Sequence, residues 1–249
     1  MRITRHFVLL VTFLSLFAGT IAACASQKTM PPTALPKPTV PERPLSAEEI
    51  FTMAADRMDL LKSYTYSVLI RYDLPEIASR RTQTSTGVVD VAKGKYERFN
   101  ILHSSGGVTE TEKIELLFVE TTHNVYERSV SGATWQLSER PFGFVGNNIR
   151  DMKEQAHNLA LVGEEKLNGA ISCYHLLFDI PIEYIEWDDF TVTSATIRTD
   201  MWVSKDELLV RAIQHRFSGQ DGIFDAPEVI FDITIFSINL PVSIPSPYR

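Results

Sequence analysis

The stretch Ser63–Asp73, SYTYSVLIRYD, decides the fold class. Tyr64, Tyr66, Val68, Ile70 and Tyr72 alternate with Thr65, Ser67, Leu69, Arg71 and Asp73, a period of two that gives a β-strand one apolar face. Just before it the period is different. Ser46-Ala47-Glu48-Glu49 reads as a helix-capping box, with Leu45 and Ile50 placed for a hydrophobic staple. Ile50, Met53, Ala54, Met58 and Leu61 then recur at helical spacing to about Lys62. An amphipathic helix therefore runs directly into a strand.

Downstream, the strand signal repeats in QTSTGVVDVA, GKYERFNILH, KIELLFVE, HNVYERS and ATWQLSE. Turn chemistry separates these runs at Lys93-Gly94, Ser104-Ser105-Gly106-Gly107 and Ser131-Gly132, which makes consecutive strands antiparallel neighbours. A second helix is expected after Asn148, where Ile149, Met152, Ala156 and Leu159 repeat at three and four residues. Strands resume with ALVGEEKL, AISCYHLLFDI, TVTSATIRTDMWVS, LLVRAIQHRF and EVIFDITIFSINL. About eleven strands and two main helices make a mainly β (α+β) protein. An antiparallel sheet of that size curls or closes to manage its edges, and two helices leave part of its apolar face for a cavity.

The N-terminus carries a different kind of information. Arg2 and Arg5 precede an uncharged apolar run, Phe7–Ala18. As a helix it is about 18 Å long, short of the ~30 Å hydrocarbon core of a membrane, so it reads as a secretory signal peptide. Ile21-Ala22-Ala23-Cys24 resembles the bacterial lipobox, which implies a diacylglyceryl group on the Cys24 thiol and cleavage just before it. An ordinary cleavage site with a coincidental cysteine is the alternative. Ala25–Leu45 holds six of the thirteen prolines and no glycine, a polyproline-like tether with a reach of up to about 65 Å. The expected division is a leader over 1–23, a lipidated Cys24 with its tether over 24–45, and a single domain over 46–249.

The 249-residue chain has a formal charge of −7, and loss of Arg2 and Arg5 makes it two units more negative. That balance argues against nucleic acid as a partner and against broad adhesion to anionic lipid. No second long apolar run follows the leader. With Cys24 lipidated, Cys173 is the only thiol left, so no disulfide is expected within the chain.

Catalytic and metal motifs are missing: no Gly-x-Ser-x-Gly elbow, no His-Glu-x-x-His, no glycine-rich phosphate loop. No catalytic residue, metal or cofactor is expected. Cys173 and His175, two apart on one strand, share a face and could form a thiolate pair, against the plainer reading of a buried thiol beside a histidine. His103 is expected in a solvated turn. Glu183–Asp189, EYIEWDD, is expected as a solvated loop or partner-facing rim rather than a calcium loop. The candidate ligand-binding set is apolar: Val68, Ile70, Leu116, Phe118, Leu176, Phe178, Met201, Ile233 and Ile235 on strands, with Met152 on the second helix. Met53 and Met58 on the first helix belong with them, since methionine adapts to irregular contents. A packed core is the competing reading of each.

The second half supplies a resemblance. LVGEEKLNGAISCYHLLFD, TDMWVSKDELLVRAIQHRF and FDITIFSINLPVSIPSP follow an order that resembles LppX/LprG-type bacterial lipoproteins and the related LolA-like lipoprotein carriers. The matching features are Gly169 to Tyr174, Met201-Trp202-Val203 with Leu208 to Arg211, and Pro241 to Pro245. Ser204-Lys205-Asp206 departs from the family, which usually carries an acid just after the tryptophan-led strand. The resemblance implies a curved antiparallel half-barrel with helices packed in its concave face, the gap between them accepting acyl chains. It implies binding without catalysis.

The resulting expectation is a membrane-anchored extracytoplasmic lipoprotein that binds or carries a lipid or acylated ligand, held to the cell membrane through Cys24, with an envelope protein as a further partner. Two alternatives stand beside it: an envelope interaction or sensor module with the same fold and no ligand cavity, and an envelope hydrolase using Cys173 and His175.

Overall fold

The computed structural model describes residues 35–39, 41, 43–74, 79–91, 96–105, 114–119, 124–128, 134–138, 149–187, 190–217 and 229–244, less the side chains of 72–74, 79–83, 96–105, 114–116, 118–119, 182–187 and 190–195. The leader, the lipobox and Cys24 lie outside these residues. Pro32–Arg249 clusters as one unit and Met1–Pro31 as another, the latter wholly outside the described residues.

Helix α1 spans Ala47–Asp59, where the sequence signals it. Ser46 Oγ accepts from the Glu49 N–H, and Glu49 Oε2 accepts from the Ser46 N–H at 2.9 Å, so both halves of the capping box form. Leu45 and Ile50 are buried in the same cluster, as a staple requires. The Arg43 guanidinium donates to both carboxylate oxygens of Glu49. That contact, with the Ser46 N–H, lowers the Glu49 carboxyl from an ordinary 4.5 to about 2. A depressed carboxyl stabilises the fold above its unfolded value and loses that contribution as pH falls through its folded value. The thermal midpoint of the protein should therefore fall in part between pH 4.5 and about 2, and Glu49→Gln should flatten that segment in circular-dichroism melts at low salt. A midpoint profile identical in the variant would remove the contribution.

Among the described residues eleven strands follow: β1 (Ser63–Leu74), β2 (Ser79–Asp90), β3 (Tyr96–Ser105), β4 (Ile114–Val119), β5 (Asn124–Arg128), β6 (Gln136–Leu137), β7 (His157–Leu167), β8 (Ile171–Trp187), β9 (Phe190–Ser204), β10 (Val210–Phe217) and β11 (Val229–Phe236). They form one antiparallel sheet in the order β6-β5-β4-β3-β2-β1-β11-β10-β9-β8-β7. Two meanders, β1–β6 and β7–β11, are thus joined where the first strand pairs with the last, Val68 opposite Ile233 and Ile70 opposite Phe231. Beyond β11 the chain is stitched to the start of β1: Asn239 N–H donates to Ser63 O at 2.7 Å, and Asn239 Oδ1 accepts from Lys62 N–H at 2.8 Å. At the β7–β8 turn Asn168 and Gly169 have φ of 50° and 73°, the mirror-image geometry that suits the twist of a tight hairpin.

The main core lies on one face of this sheet. Residues 64, 66, 68 and 70 of β1 face it with alternate residues of β8 to β11, and both helices pack there. No helix among the described residues is long and apolar enough to cross a membrane.

Three expectations need correction. The second helix, α2 (Ile149–Gln155), ends at Gln155 and does not continue to Leu159. Ala156 and Leu159 keep their contact with the core, but Leu159 does so from β7, which begins at His157 and pairs with β8. His103 lies within β3, where the register sets it opposite Gln83, not in a turn. The acidic run is strand rather than loop as far as Trp187: β8 continues through it, with Tyr184 opposite Thr193 and Trp187 opposite Phe190. Its β-forming Tyr184, Ile185 and Trp187 outweigh its charges. Asp188 and Asp189 lie outside the described residues.

Candidate functional site

Strand registers arrange the inner face in rows. One row runs Leu176 (β8), Met201 (β9), Ile213 (β10), Ile233 (β11) and Val68 (β1). Strands lie about 4.8 Å apart, so this apolar line crosses roughly 19 Å of sheet. The next row runs Phe178, Thr199, His215, Phe231 and Ile70. A third contains Ile180, Ile197, Phe217 and Val229. Every one of these residues is buried.

The second row carries a polar pair in otherwise apolar surroundings. Thr199 Oγ1 and His215 Nδ1 are 2.8 Å apart, and the two residues are 0% and 1% exposed. The one hydrogen bond they share offsets part of the cost of removing both from water. Sequence reading passed over them. The alternation Ile213, His215, Phe217 was the available signal that this histidine points inward.

Helix α1 lies on this face. Phe51 meets Phe178 with ring centroids 5.0 Å apart, and Ile50, Ala54, Ala55 and Met58 join the same cluster. Helix α2 adds Ile149 and Met152. Of the candidate ligand-binding residues, Val68, Ile70, Met152, Leu176, Phe178, Met201, Ile233 and Ile235 are thereby brought into one cluster, with Met58 buried in it and Met53 partly buried against it. The side chains of Leu116 and Phe118 lie outside the described residues, and their backbone belongs to β4, three strands beyond β1. Their neighbour Leu117 is buried in a separate small cluster with Ile244. Tyr66, Ile197, Phe217 and Phe231 are further members of the inner face that the candidate set omitted.

The opposite face is polar and continuous over six strands. His175 Nε2 lies 2.7 Å from Asp200 Oδ1, and its Nδ1 lies 3.2 Å from Glu165 Oε1. The imidazole stacks on Trp202 at 4.9 Å, and Trp202 Nε1 donates to Glu165. Asp200 Oδ2 is 3.9 Å from Arg216, whose Nε donates to Gln214 at 2.8 Å. Gln214 donates to Asp232 at 2.5 Å, and Asp232 accepts from Arg71 at 2.5 Å. His175 is thus a structural member of a ribbon running from β7 to β1. Cys173 is fully buried, and burial pushes its thiol up, with only partial opposition from a Leu167 backbone hydrogen bond and the Arg211 charge. A thiol held protonated beside a histidine whose ring nitrogens are engaged by carboxylates is a poor nucleophile pair.

Two crystal structures share this fold. LprF from Mycobacterium bovis is 13% identical, with 81% of this chain and 96% of that chain covered at a TM-score of 0.50. The lipoprotein LppX from Mycobacterium tuberculosis is 12% identical, with 80% and 98% covered at a TM-score of 0.51. At such identities the shared property is the fold. No family model and no curated protein matches the chain.

Proposed function

We propose that this chain is a lipid-anchored, extracytoplasmic lipoprotein whose inner sheet face takes a lipid or acyl chain. The observation that carries the reading is the uninterrupted apolar row from Leu176 to Val68, five strands wide and overlain by two short helices. A polar face would reject an acyl chain; this one gains about 0.8 kcal/mol for each CH₂ it removes from water, near 10 kcal/mol for twelve carbons before ordering costs. Val68, Ile70, Met152, Leu176, Phe178, Met201, Ile233 and Ile235 are the described members of the contact set, and Leu116 and Phe118 extend it along the sheet. The fold shared with LppX, itself a lipoprotein, supports the lipoprotein part of the reading.

Cys24 is the proposed anchor, after removal of residues 1–23, on the outer side of a cell membrane. The tether is shorter than composition suggests, because Leu35 packs against the domain core. The span from Cys24 to Leu35 then reaches about 34 Å, which holds the domain close to the membrane surface.

A second reading has its own support. Leu176, Phe178 and Met201 are 0% exposed and share one cluster with residues of both helices. That favours an envelope interaction or sensor module with a closed core. Native mass spectrometry of the full-length protein, isolated from a bacterial host and followed by organic extraction, separates the two. A co-purifying lipid, or saturable uptake of a fluorescent fatty acid, supports the carrier. A bare protein mass with no probe uptake sinks it in favour of the closed module.

A further inference from the structure

Two arginines converge on the turn between β9 and β10. Arg57, in the last turn of α1, is 9% exposed and donates from Nε to Glu207 O at 3.2 Å. Arg211 follows the turn near the start of β10, and its Nη2 donates to the Glu207 carboxylate. Its side chain is 17% exposed. Both guanidinium groups therefore reach the same glutamate, one its main-chain oxygen and the other its side chain.

The turn that carries Glu207 is fixed by its own hydrogen bonds. Leu208 N–H donates to Ser204 O and Ser204 N–H to Leu209 O, both at 2.9 Å, and Leu209 N–H donates to Ser204 Oγ at 3.2 Å. Leu208 and Leu209 are buried in the main core. The register of β10 against β9 slips between Val210 and Ala212, which makes Arg211 the extra residue of a β-bulge, a device that re-aims a side chain.

A guanidinium carries five N–H donors. Arg57 uses one and, among the described residues, makes no other hydrogen bond. Arg211 Nε is buried with no partner. An exposed arginine leaves its spare donors to water; these two are largely out of it, where an unpaired donor is costly. The charges are unequal as well. Arg57 meets a neutral carbonyl, so two cations share the one carboxylate of Glu207. The acids next to them in the chain are engaged elsewhere. Arg150 Nη2 holds Asp56 at 2.8 Å and Asp59 at 2.6 Å, and the charge of Asp206 acts on Lys205.

We propose that Arg57 and Arg211 form a binding site for a phosphate-type oxyanion, free or as the ester of a larger molecule. The planar fork of each arginine matches the oxygens of such a group, and two forks from different elements engage more than one of them. Glu207 holds Arg211 when no ligand is present and competes with the ligand for the same donors. The site does not rest on the lipid reading of the inner face. A chain of net charge −7 offers an anion no attraction at a distance, so binding is local and weakens with salt.

Titration calorimetry of the full-length protein with inorganic phosphate, in low salt, tests the site against sodium chloride at matched ionic strength. The wild type should bind phosphate saturably at one site. Arg57→Gln and Arg211→Gln should each weaken binding about tenfold or more, the loss of a charge-assisted hydrogen bond. Glu207→Gln, which removes the competing carboxylate, should tighten it about threefold. Arg57→Lys keeps the charge without the fork and should fall between wild type and Arg57→Gln, which serves if the glutamine variant does not fold. Dihexanoyl-phosphatidylglycerol below its micelle concentration distinguishes the sources. Its competition with phosphate supports the site with a lipid headgroup as ligand; phosphate binding without such competition supports it with a free oxyanion. A wild type that binds no phosphate beyond the chloride control overturns the proposal. So does binding that survives both glutamine substitutions unchanged, or that weakens in Glu207→Gln.

Discussion

Replacing Phe178 by alanine should destabilise the domain by about 3–5 kcal/mol, the range for removing a large aromatic from a core that cannot collapse around the space. Phe178 is 0% exposed, and its ring meets that of Phe51 at 5.0 Å and 41°, the tilted arrangement aromatic pairs prefer. The pair joins α1 to the sheet, so its loss should appear as a lower urea midpoint and as earlier hydrogen exchange in α1. Phe51→Ala should cost a similar amount. The double variant should fall short of the sum by about 0.5–1.5 kcal/mol, since the second truncation finds the contact already gone. A Phe178→Ala loss below about 1 kcal/mol would mean that the helix and sheet repack freely. That outcome would itself favour a face built for variable contents.

The second large effect falls on Gly87. This residue sits opposite Tyr66 on the neighbouring strand, and a Cβ added there would come closer than 3.0 Å to Cζ, Cε1 and Oη of the Tyr66 ring. Tyr66 is 2% exposed and has little room to swing aside. Gly87→Ala should therefore cost about 2–3 kcal/mol by overpacking, although alanine is otherwise the better strand residue. In a Tyr66→Ala background the same substitution should become neutral or slightly stabilising. Urea unfolding of the four proteins in that cycle decides it. If Gly87→Ala is equally harmful with and without the Tyr66 ring, the ring is not the obstacle.

Local signals in the chain were read with little loss. The capping box at Ser46 and Glu49 is a four-residue device whose partners are fixed by covalent proximity, and it forms as read. The alternation from Tyr64 to Ile70 set the inward face of β1, since a strand buried on one side has only one register that hides its apolar residues. The number of strands and helices was legible for the same reason. Gly87, inside a strand pattern, carried the general signal of a close approach, but nothing nearby names Tyr66 as what approaches.

Where the reading slipped, a tertiary contact had outweighed a local one. Ile149, Met152, Ala156 and Leu159 fit helical spacing, and all four do contact the core, yet the helix ends at Gln155 because β7 pairs with β8 from His157 onward. The Glu183–Trp187 segment looked like a solvated loop by charge and became strand by pairing with β9. The thiol–histidine pair shared a face, as two residues apart on a strand must. Asp200 and Glu165, brought from other strands, decided what the histidine does.

The sequence by itself determined most of the elements, their order, the apolar face of β1 and, by resemblance, the class of fold, because these depend on periodicity and on contacts between residues close along the chain. Only the tertiary structure decided that β11 pairs with β1 at the centre of the sheet, that Thr199 and His215 share a hydrogen bond inside an apolar wall, and that Arg150 grips Asp56 and Asp59 on another helix. Those partners lie from 16 to 171 residues apart in the chain. Their meeting is set by how the two meanders and the helices above them pack together, which no local pattern encodes.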